Sequence, residues 1–425
     1  MLSLVILVIL CGLYAAWNIG ANDVANAVGT SVGSGALSLK QAVIIAAVFE
    51  FLGAFVFGGE VSGTIESRIV NFSGFPGGTL DYVYGMTAAL LATGVWLQTA
   101  SFFGWPVSTT HSIIGAVIGF GLVVGNSGAI YWGHVFSIIL SWILSPLFGG
   151  VVSFVIFSLI RRRILYHANP VQAIIQVAPY LAFAVISVLT GIILNGGLLA
   201  ERINIVYRYL IIAAGGLAAF GFTFLILKKN RDYDQILNDQ KLIRRIQKTA
   251  HYGKNYLVVE VIFSYFQMVV ACFMAFAHGS NDVANAIAPV AAVLKIVYPK
   301  FMLHDGNVWL LIMGGIGIVL GLATWGWRVI ETVGCKITEL TPSRGFSAGF
   351  GSSVTVVLAS KLGFPISTTH VVVGAILGVG FARGIKAINL NVIRDIVFSW
   401  FITVPAGAGL SILFFFILRL LFGYV

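Results

Sequence analysis

Two polar sequences, each present twice, hold the residues of this 425-residue chain whose types and spacing could do chemistry. The first is Asn22-Asp-Val-Ala-Asn26, repeated as Asn281–Asn285. On a helix, positions 22, 23 and 26 share one side, because residues three and four apart are neighbours. One carboxylate and two amides offer hard oxygen ligands, suited to Na⁺ or H⁺ and not to a soft metal. Asn22, Asp23, Asn26, Asn281, Asp282 and Asn285 are therefore the candidate cation ligands. Gly20, Gly29, Gly33 and Gly35 are expected to let the helix break nearby and expose carbonyl oxygens as further ligands. A polar seam joining two helices is the competing role for Asn in a membrane. An acid in both copies favours cation binding, since a carboxylate at that depth must be paired, hydrated or bound to a cation.

The second sequence is Gly104-Trp-Pro-Val-Ser-Thr-Thr-His111, matched by Gly363-Phe-Pro-Ile-Ser-Thr-Thr-His370. Proline does not continue a preceding helix, and serine is a good N-cap, so each copy predicts a helix start. The apolar residues that follow place that start inside a bilayer, with its free N–H groups and positive dipole end exposed to whatever lies there. Ser108, Thr109 and Thr110 with Ser367, Thr368 and Thr369 would then cradle an oxyanion without a lysine. Gln98, whose counterpart is Val357, is a further candidate ligand, or else joins helices. His111 and His370 could relay protons, contact the anion or orient the turn. Glu50 and Glu260, within apolar segments, are suspects for coupling or for structural pairing. Ser108, His111 and Asp23 include the residue types of a hydrolase triad. Hydrolysis needs one asymmetric site, however, whereas every member here is doubled, and the chain is read as a non-enzyme.

These motifs need helices at membrane depth to position them. Apolar residues make up 59% of the chain and charged ones 9%, against roughly 25% charged in a soluble domain, and mean hydropathy is +0.98. Runs approaching or exceeding a bilayer crossing recur at 2–17, 42–58, 113–125, 135–160, 177–194, 209–227, 257–277, 308–327 and 396–422. The fold class is an all-α polytopic membrane protein; short alternating strands of a barrel are not seen. The first residues carry no basic stretch or cleavage site and read as a membrane helix, not a signal peptide. Cys11, Cys272 and Cys335 have no metal-ligand spacing and read as small hydrophobes.

Asn22 and Asn281 are 259 residues apart, and so are Ser108 and Ser367. This divides the chain into a first repeat, 1–165, a linking region, 166–256, and a second repeat, 257–425. Ser141-Trp142 near Pro146 resembles Ser399-Trp400 near Pro405 at the repeat ends. The linking region holds two spans and a basic stretch, 228–254. There Ile236, Leu237, Ile243 and Ile246 could face one side of a surface helix, in a connecting loop or as a lipid-binding element. The net charge of +10 sits in loops and follows the positive-inside bias, not nucleic-acid binding. Both termini are then extracytoplasmic. Each repeat holds an odd number of crossings, which gives two inverted repeats and about 12 membrane segments, with re-entrant or broken helices at the midplane.

Gly20-Ala-Asn-Asp-Val-Ala-Asn-Ala27, Gly279-Ser-Asn-Asp-Val-Ala-Asn-Ala286 and both Pro-x-Ser-Thr-Thr-His sequences resemble the inorganic phosphate transporter (PiT) family, over nearly the whole chain. The resemblance implies a homodimeric plasma-membrane symporter that imports phosphate with Na⁺, without a bound cofactor. It leaves open H⁺ coupling, a metal–phosphate substrate or a sulfate permease of the same fold. It also implies that Asp23 and Asp282 with their flanking amides are the family's signature acids, that the Ser-Thr-Thr sequences are its hairpin tips, and that Glu50 is its early membrane glutamate. One departure is Gly349, where many relatives carry a glutamate.

Overall fold

In a bilayer no water satisfies backbone N–H and C=O groups, so long apolar runs close their hydrogen bonds internally as helices. The computed structural model describes residues 2–67, 69–125, 128–195, 202–229, 236–249, 253–299, 302, 306–362 and 365–423. Part of the basic stretch 228–254, and Gly363 and Phe364, lie outside the described residues. Among the described residues there are fourteen α-helices. In chain order they are α1 (Leu2–Gly33), α2 (Leu39–Ser67), α3 (Gly78–Phe102), α4 (Thr109–Val124), α5 (Trp132–Ile160), α6 (Pro170–Leu194), α7 (Ile205–Lys229), α8 (Gln240–Thr249), α9 (Lys254–Val297), α10 (Gly306–Trp325), α11 (Trp327–Glu331), α12 (Pro342–Lys361), α13 (Thr368–Arg383) and α14 (Leu390–Phe422). Nine are long and apolar enough to cross a membrane, whereas α4 and α13 are shorter apolar helices.

The motif helices pack crosswise. α1 lies on α10 and α9 lies on α2, so each Asn-Asp helix packs against the second helix of the other copy. α4 likewise packs on α14 and α13 on α5, whereas α3 with α4 and α12 with α13 pair as neighbours in sequence. The interlacing depends on glycine. A Cβ on Gly279 would stand 2.0 Å from the Glu50 carbonyl oxygen, and one on Gly20 only 1.9 Å from that of Ile318.

This packing corrects one expectation. α1 runs unbroken through Asn22–Asn26, and α9 through Asn281–Asn285. Gly20 and Gly33 let backbones meet side by side, and α1 ends only at Gly33, beyond the motif, with Gly35 at φ 76° in the turn that follows. The motif side chains, not unwound carbonyls, therefore supply its polar groups. The breaks fall elsewhere: the chain leaves helix between Phe102 and Thr109 and starts again under a serine cap. Gly104, at φ 69°, makes that reversal in a region that favours glycine.

The linking helices α6 and α7 pair with each other, and α7 buries only Gly216 and Leu227. In the basic stretch, Leu242, Ile243 and Ile246 of α8 are buried against Leu257 and Val261 of α9, with Ile236 and Leu237 packed beside them. Lys241, Arg244 and Lys248 are exposed.

Candidate functional site

The two helix starts are built alike. Ser108 Oγ accepts from the His111 amide at 3.1 Å, and Ser367 Oγ from the His370 amide at 3.2 Å. Each serine thus occupies one donor of the first turn and leaves the neighbouring N–H groups of a buried helix end in need of partners. Thr110 Oγ1 donates across to the Ile366 carbonyl, and Thr369 Oγ1 to the Val107 carbonyl, both at 3.0 Å. Each tip is thereby tied to the other by its own last threonine.

The Asn-Asp motifs meet these tips in two ways. The first asparagine of each motif holds its own hairpin. Asn22 Nδ2 donates to Ser101 Oγ at 2.9 Å and to the Trp105 carbonyl, while its Oδ1 accepts from the Val107 amide. Asn281 Nδ2 donates to the Ile366 carbonyl at 3.1 Å, and its Oδ1 accepts from Ser360 Oγ. The last asparagine reaches the other copy's hairpin. Asn26 Nδ2 bonds Thr369 Oγ1 at 2.8 Å, and Asn285 Nδ2 bonds Thr109 and Thr110 at 3.1 and 3.2 Å. The acids close the ring: Thr369 Oγ1 lies 3.2 Å from Asp23 Oδ1, and Thr368 Oγ1 donates to Asp282 Oδ2 at 2.8 Å. All twelve predicted cation and Ser-Thr-Thr residues are buried and belong to one connected cluster.

His278, which the sequence reading passed over, completes it. Its Nε2 lies 2.8 Å from Asp282 Oδ2 and 4.0 Å from Asp23 Oδ2, while Nδ1 lies 3.1 Å from Glu50 Oε1. Ligand atoms of Asp23, His278 and Asp282 fall within 4.8 Å of one another and could hold a cation. Bringing carboxylates this close in a buried site is costly unless positive charge offsets them. His278 stands one turn before Asp282 and so shares its helix face. Its counterpart in the first copy is Ile19, and a comparison of matching residues hides such an asymmetry.

Gln98 takes a different place. Its Oε1 accepts from the Tyr14 hydroxyl at 2.5 Å, a bond between α3 and α1. Glu260 is accounted for structurally: its carboxylate accepts from the Ser343 amide and hydroxyl at 2.8 and 2.9 Å, which caps the start of α12. At Gly349 an added Cβ would lie 2.8 Å from Val270 Cγ1 and 3.8 Å from Gln267 Nε2. Gln267, itself bonded to Thr30 and Ser31, fills the space a longer side chain would need. His111 and His370 meet with ring centroids 4.2 Å apart, and Trp142 and Trp400 stack on them at 3.8 and 3.6 Å.

Nine candidate spans among the described residues and a buried cluster of acids, amides and helix starts define a multi-pass membrane protein with a polar cluster enclosed among its helices. Residues 19–411 match the phosphate transporter family, and the chain belongs to that family. It is 61% identical over 425 residues to a Chlamydia pneumoniae protein provisionally named a phosphate permease, covering 99% of this chain and 100% of that one. It is 43% identical to the chloroplastic inorganic phosphate transporter 2-1 of Arabidopsis thaliana, over 98% of this chain and 72% of the relative. A solved structure described as the sodium-dependent phosphate transporter superposes with a TM-score of 0.85 at 38% identity, over 98% of this chain and 99% of the other.

Proposed function

We propose that the chain is a secondary active transporter that imports inorganic phosphate with Na⁺. The observation that carries this reading is the crossed bonding of the site. Asn26 and Asn285 each bond the threonines of the opposite hairpin, so groups suited to a cation and groups suited to an oxyanion share one network. Phosphate would lie against the starts of α4 and α13, where N–H groups, the dipole ends and the hydroxyls of Ser108–Thr110 and Ser367–Thr369 stabilise negative charge. Na⁺ would be held by Asp23 and Asp282 with Asn22, Asn26, Asn281 and Asn285. Its charge offsets that of phosphate, and this mutual dependence couples the two fluxes. Gln98 would support the anion side from α3, and Glu50 the cation side through His278.

The sodium assignment draws on the solved relative, which is described as sodium-dependent. Two observations favour neighbouring readings of the same site. His278 between Glu50 and Asp282 suits a proton as the coupled ion, and the Asp23–His278–Asp282 grouping suits a divalent metal travelling with phosphate. A sulfate permease is the remaining alternative. In this reading the chain is a homodimer in the plasma membrane, in two inverted repeats of about twelve segments, with both termini outside and no nucleic-acid partner.

The test is radiolabelled phosphate uptake into proteoliposomes, with and without an inward Na⁺ gradient, at two fixed pH values. Uptake that requires Na⁺ supports the proposal. Uptake that ignores Na⁺ and follows the proton gradient replaces the cation, and uptake of sulfate in place of phosphate overturns the substrate.

A further inference from the structure

The ring stack in the first turns of α4 and α13 holds buried polar atoms that nothing described so far uses. His111 and His370 are each 4% exposed. Three of their four ring nitrogens, Nδ1 and Nε2 of His111 and Nε2 of His370, have no hydrogen-bond partner among the described residues. A buried polar atom left unpaired costs as much as a lost hydrogen bond. Phenylalanine would fill the same space between two tryptophans without that cost. An imidazole retained there points to a partner that binds in another state.

The geometry identifies which nitrogen is the acceptor. Pro146 has no N–H, so the carbonyl of Trp142, four residues earlier in α5, lacks its helical donor. His370 Nδ1 lies 3.5 Å from that carbonyl oxygen. A carbonyl only accepts, so Nδ1 carries the hydrogen, and in the neutral ring Nε2 is left with its lone pair. Trp400, stacked at 26°, holds the ring plane, and the His111 ring meets it edge-on at 75°. His370 is the third residue of α13, next to Thr369. Its ring therefore leaves the helix in the turn whose N–H groups face the proposed anion site.

The helix starts and asparagine Nδ2 groups only donate, and the hydroxyls of Ser108, Ser367, Thr109, Thr110 and Thr369 already accept from amides, so the site suits the unprotonated oxygens of any oxyanion. Phosphate near neutral pH also carries a P–OH, which needs an acceptor; sulfate carries no such proton. Among the other unpartnered acceptors of the cluster, Asp23 Oδ2, Asn26 Oδ1 and the Glu50 oxygens belong to the cation side around His278, and the His111 ring is held between Trp142 and the His370 ring. We propose that Nε2 of His370 accepts the P–OH hydrogen of the bound anion and thereby selects phosphate over sulfate. Sulfate would set oxygen lone pairs against the nitrogen lone pair and leave both unsatisfied. A site built to hydrogen-bond one substrate discriminates strongly against an analogue that lacks the group. His111 positions the His370 ring. The proposal rests on phosphate being the transported anion.

The experiment compares phosphate uptake, and its inhibition by sulfate and by arsenate, in proteoliposomes of the wild type, His370→Phe, His370→Gln and His111→Phe. Phenylalanine keeps the stack and removes the acceptor; glutamine restores an acceptor oxygen near the position of Nε2. In His370→Phe the preference for phosphate over sulfate is expected to fall about tenfold or more, with arsenate, which keeps an As–OH, weakening in step with phosphate. His370→Gln recovers part of the preference, and His111→Phe shifts it less. Should His370→Phe fail to insert, the glutamine variant carries the test, and loss of preference there overturns the proposal. An unchanged preference in His370→Phe, or phosphate and sulfate weakening equally, also overturns it. Absence of phosphate uptake in the wild type fails the transport reading itself, a distinct result.

Discussion

Asp23 and Asp282 lie on different helices, α1 and α9, yet both face the ring of His278. Removing either charge leaves the imidazole and the remaining acids unbalanced and deletes a cation ligand. Asp23→Asn and Asp282→Asn are each expected to abolish Na⁺-driven phosphate uptake while the protein remains folded in the membrane. Normal accumulation by either variant in the uptake assay would remove the cation assignment. Thr109→Val and Thr368→Val delete one hydroxyl at little cost in volume. If these hydroxyls face the anion, the apparent affinity for phosphate falls about tenfold, while the Na⁺ concentration for half-maximal uptake moves less. Equal shifts in both would mark the threonines as structural. Glu260 has a different role: as the cap of α12 it matters to stability. Glu260→Ala leaves two Ser343 donors unpaired and should lower the unfolding temperature in detergent, by about 1–2 kcal/mol of stability, without changing ion dependence in the surviving protein.

At the scale of elements, a continuous motif helix packed against the other copy's second helix is held by contacts only glycine allows. Gly279 stands against the backbone of Glu50, and an alanine there puts its Cβ 2.0 Å from a carbonyl oxygen. Neither backbone can yield without moving α2 away from α9, which also pulls Glu50 from His278. Gly279→Ala is therefore expected to reduce both folded yield and uptake, whereas alanine at Gly221 of α7, where nothing lies within 4 Å of an added Cβ, is silent in both. Folded yield is read from monodisperse protein in size-exclusion chromatography. A fully active Gly279→Ala protein would mean that the α2–α9 contact is looser than these distances require.

For the whole molecule, the distribution of basic residues and the proposed orientation make a claim about sidedness. Cys335, in the short π-helix Thr332–Lys336 that follows α11, is exposed, whereas Cys11 is buried. If Arg328 and Lys336 face the cytoplasm, Cys335 does too. In a Cys11→Ser, Cys272→Ser background, a membrane-impermeant maleimide should label Cys335 in inside-out vesicles and leave it unlabelled in intact cells. Labelling from outside would reverse the orientation and place both termini in the cytoplasm.

Much of this protein was legible in its sequence, because the relevant signals are local. Length of apolar run specifies helix and depth, and Pro-x-Ser-Thr-Thr-His carries its own instructions to start a helix, which the caps of Ser108 and Ser367 obey. The doubled Asn-Asp and Ser-Thr-Thr motifs announced the residues of the buried polar cluster by their polarity in an apolar chain. What the tertiary structure decided was which copy each side chain serves. Nothing local says that Asn26 reaches past its own hairpin to Thr369, because that contact depends on how two interlaced helix sets cross. The helix stays whole at Gly20 and Gly29 and ends only at Gly33, with Gly35 at φ 76° in the turn beyond, for the same reason: a glycine permits both an unwound turn and a close approach, and at Gly20 the neighbouring backbone of Ile318 selects the close approach. His278 stayed hidden because its importance comes from Glu50 and Asp23, distant in sequence and brought to it by packing alone. Residue types determined what chemistry is available; the crossing of the helices determined where it is assembled.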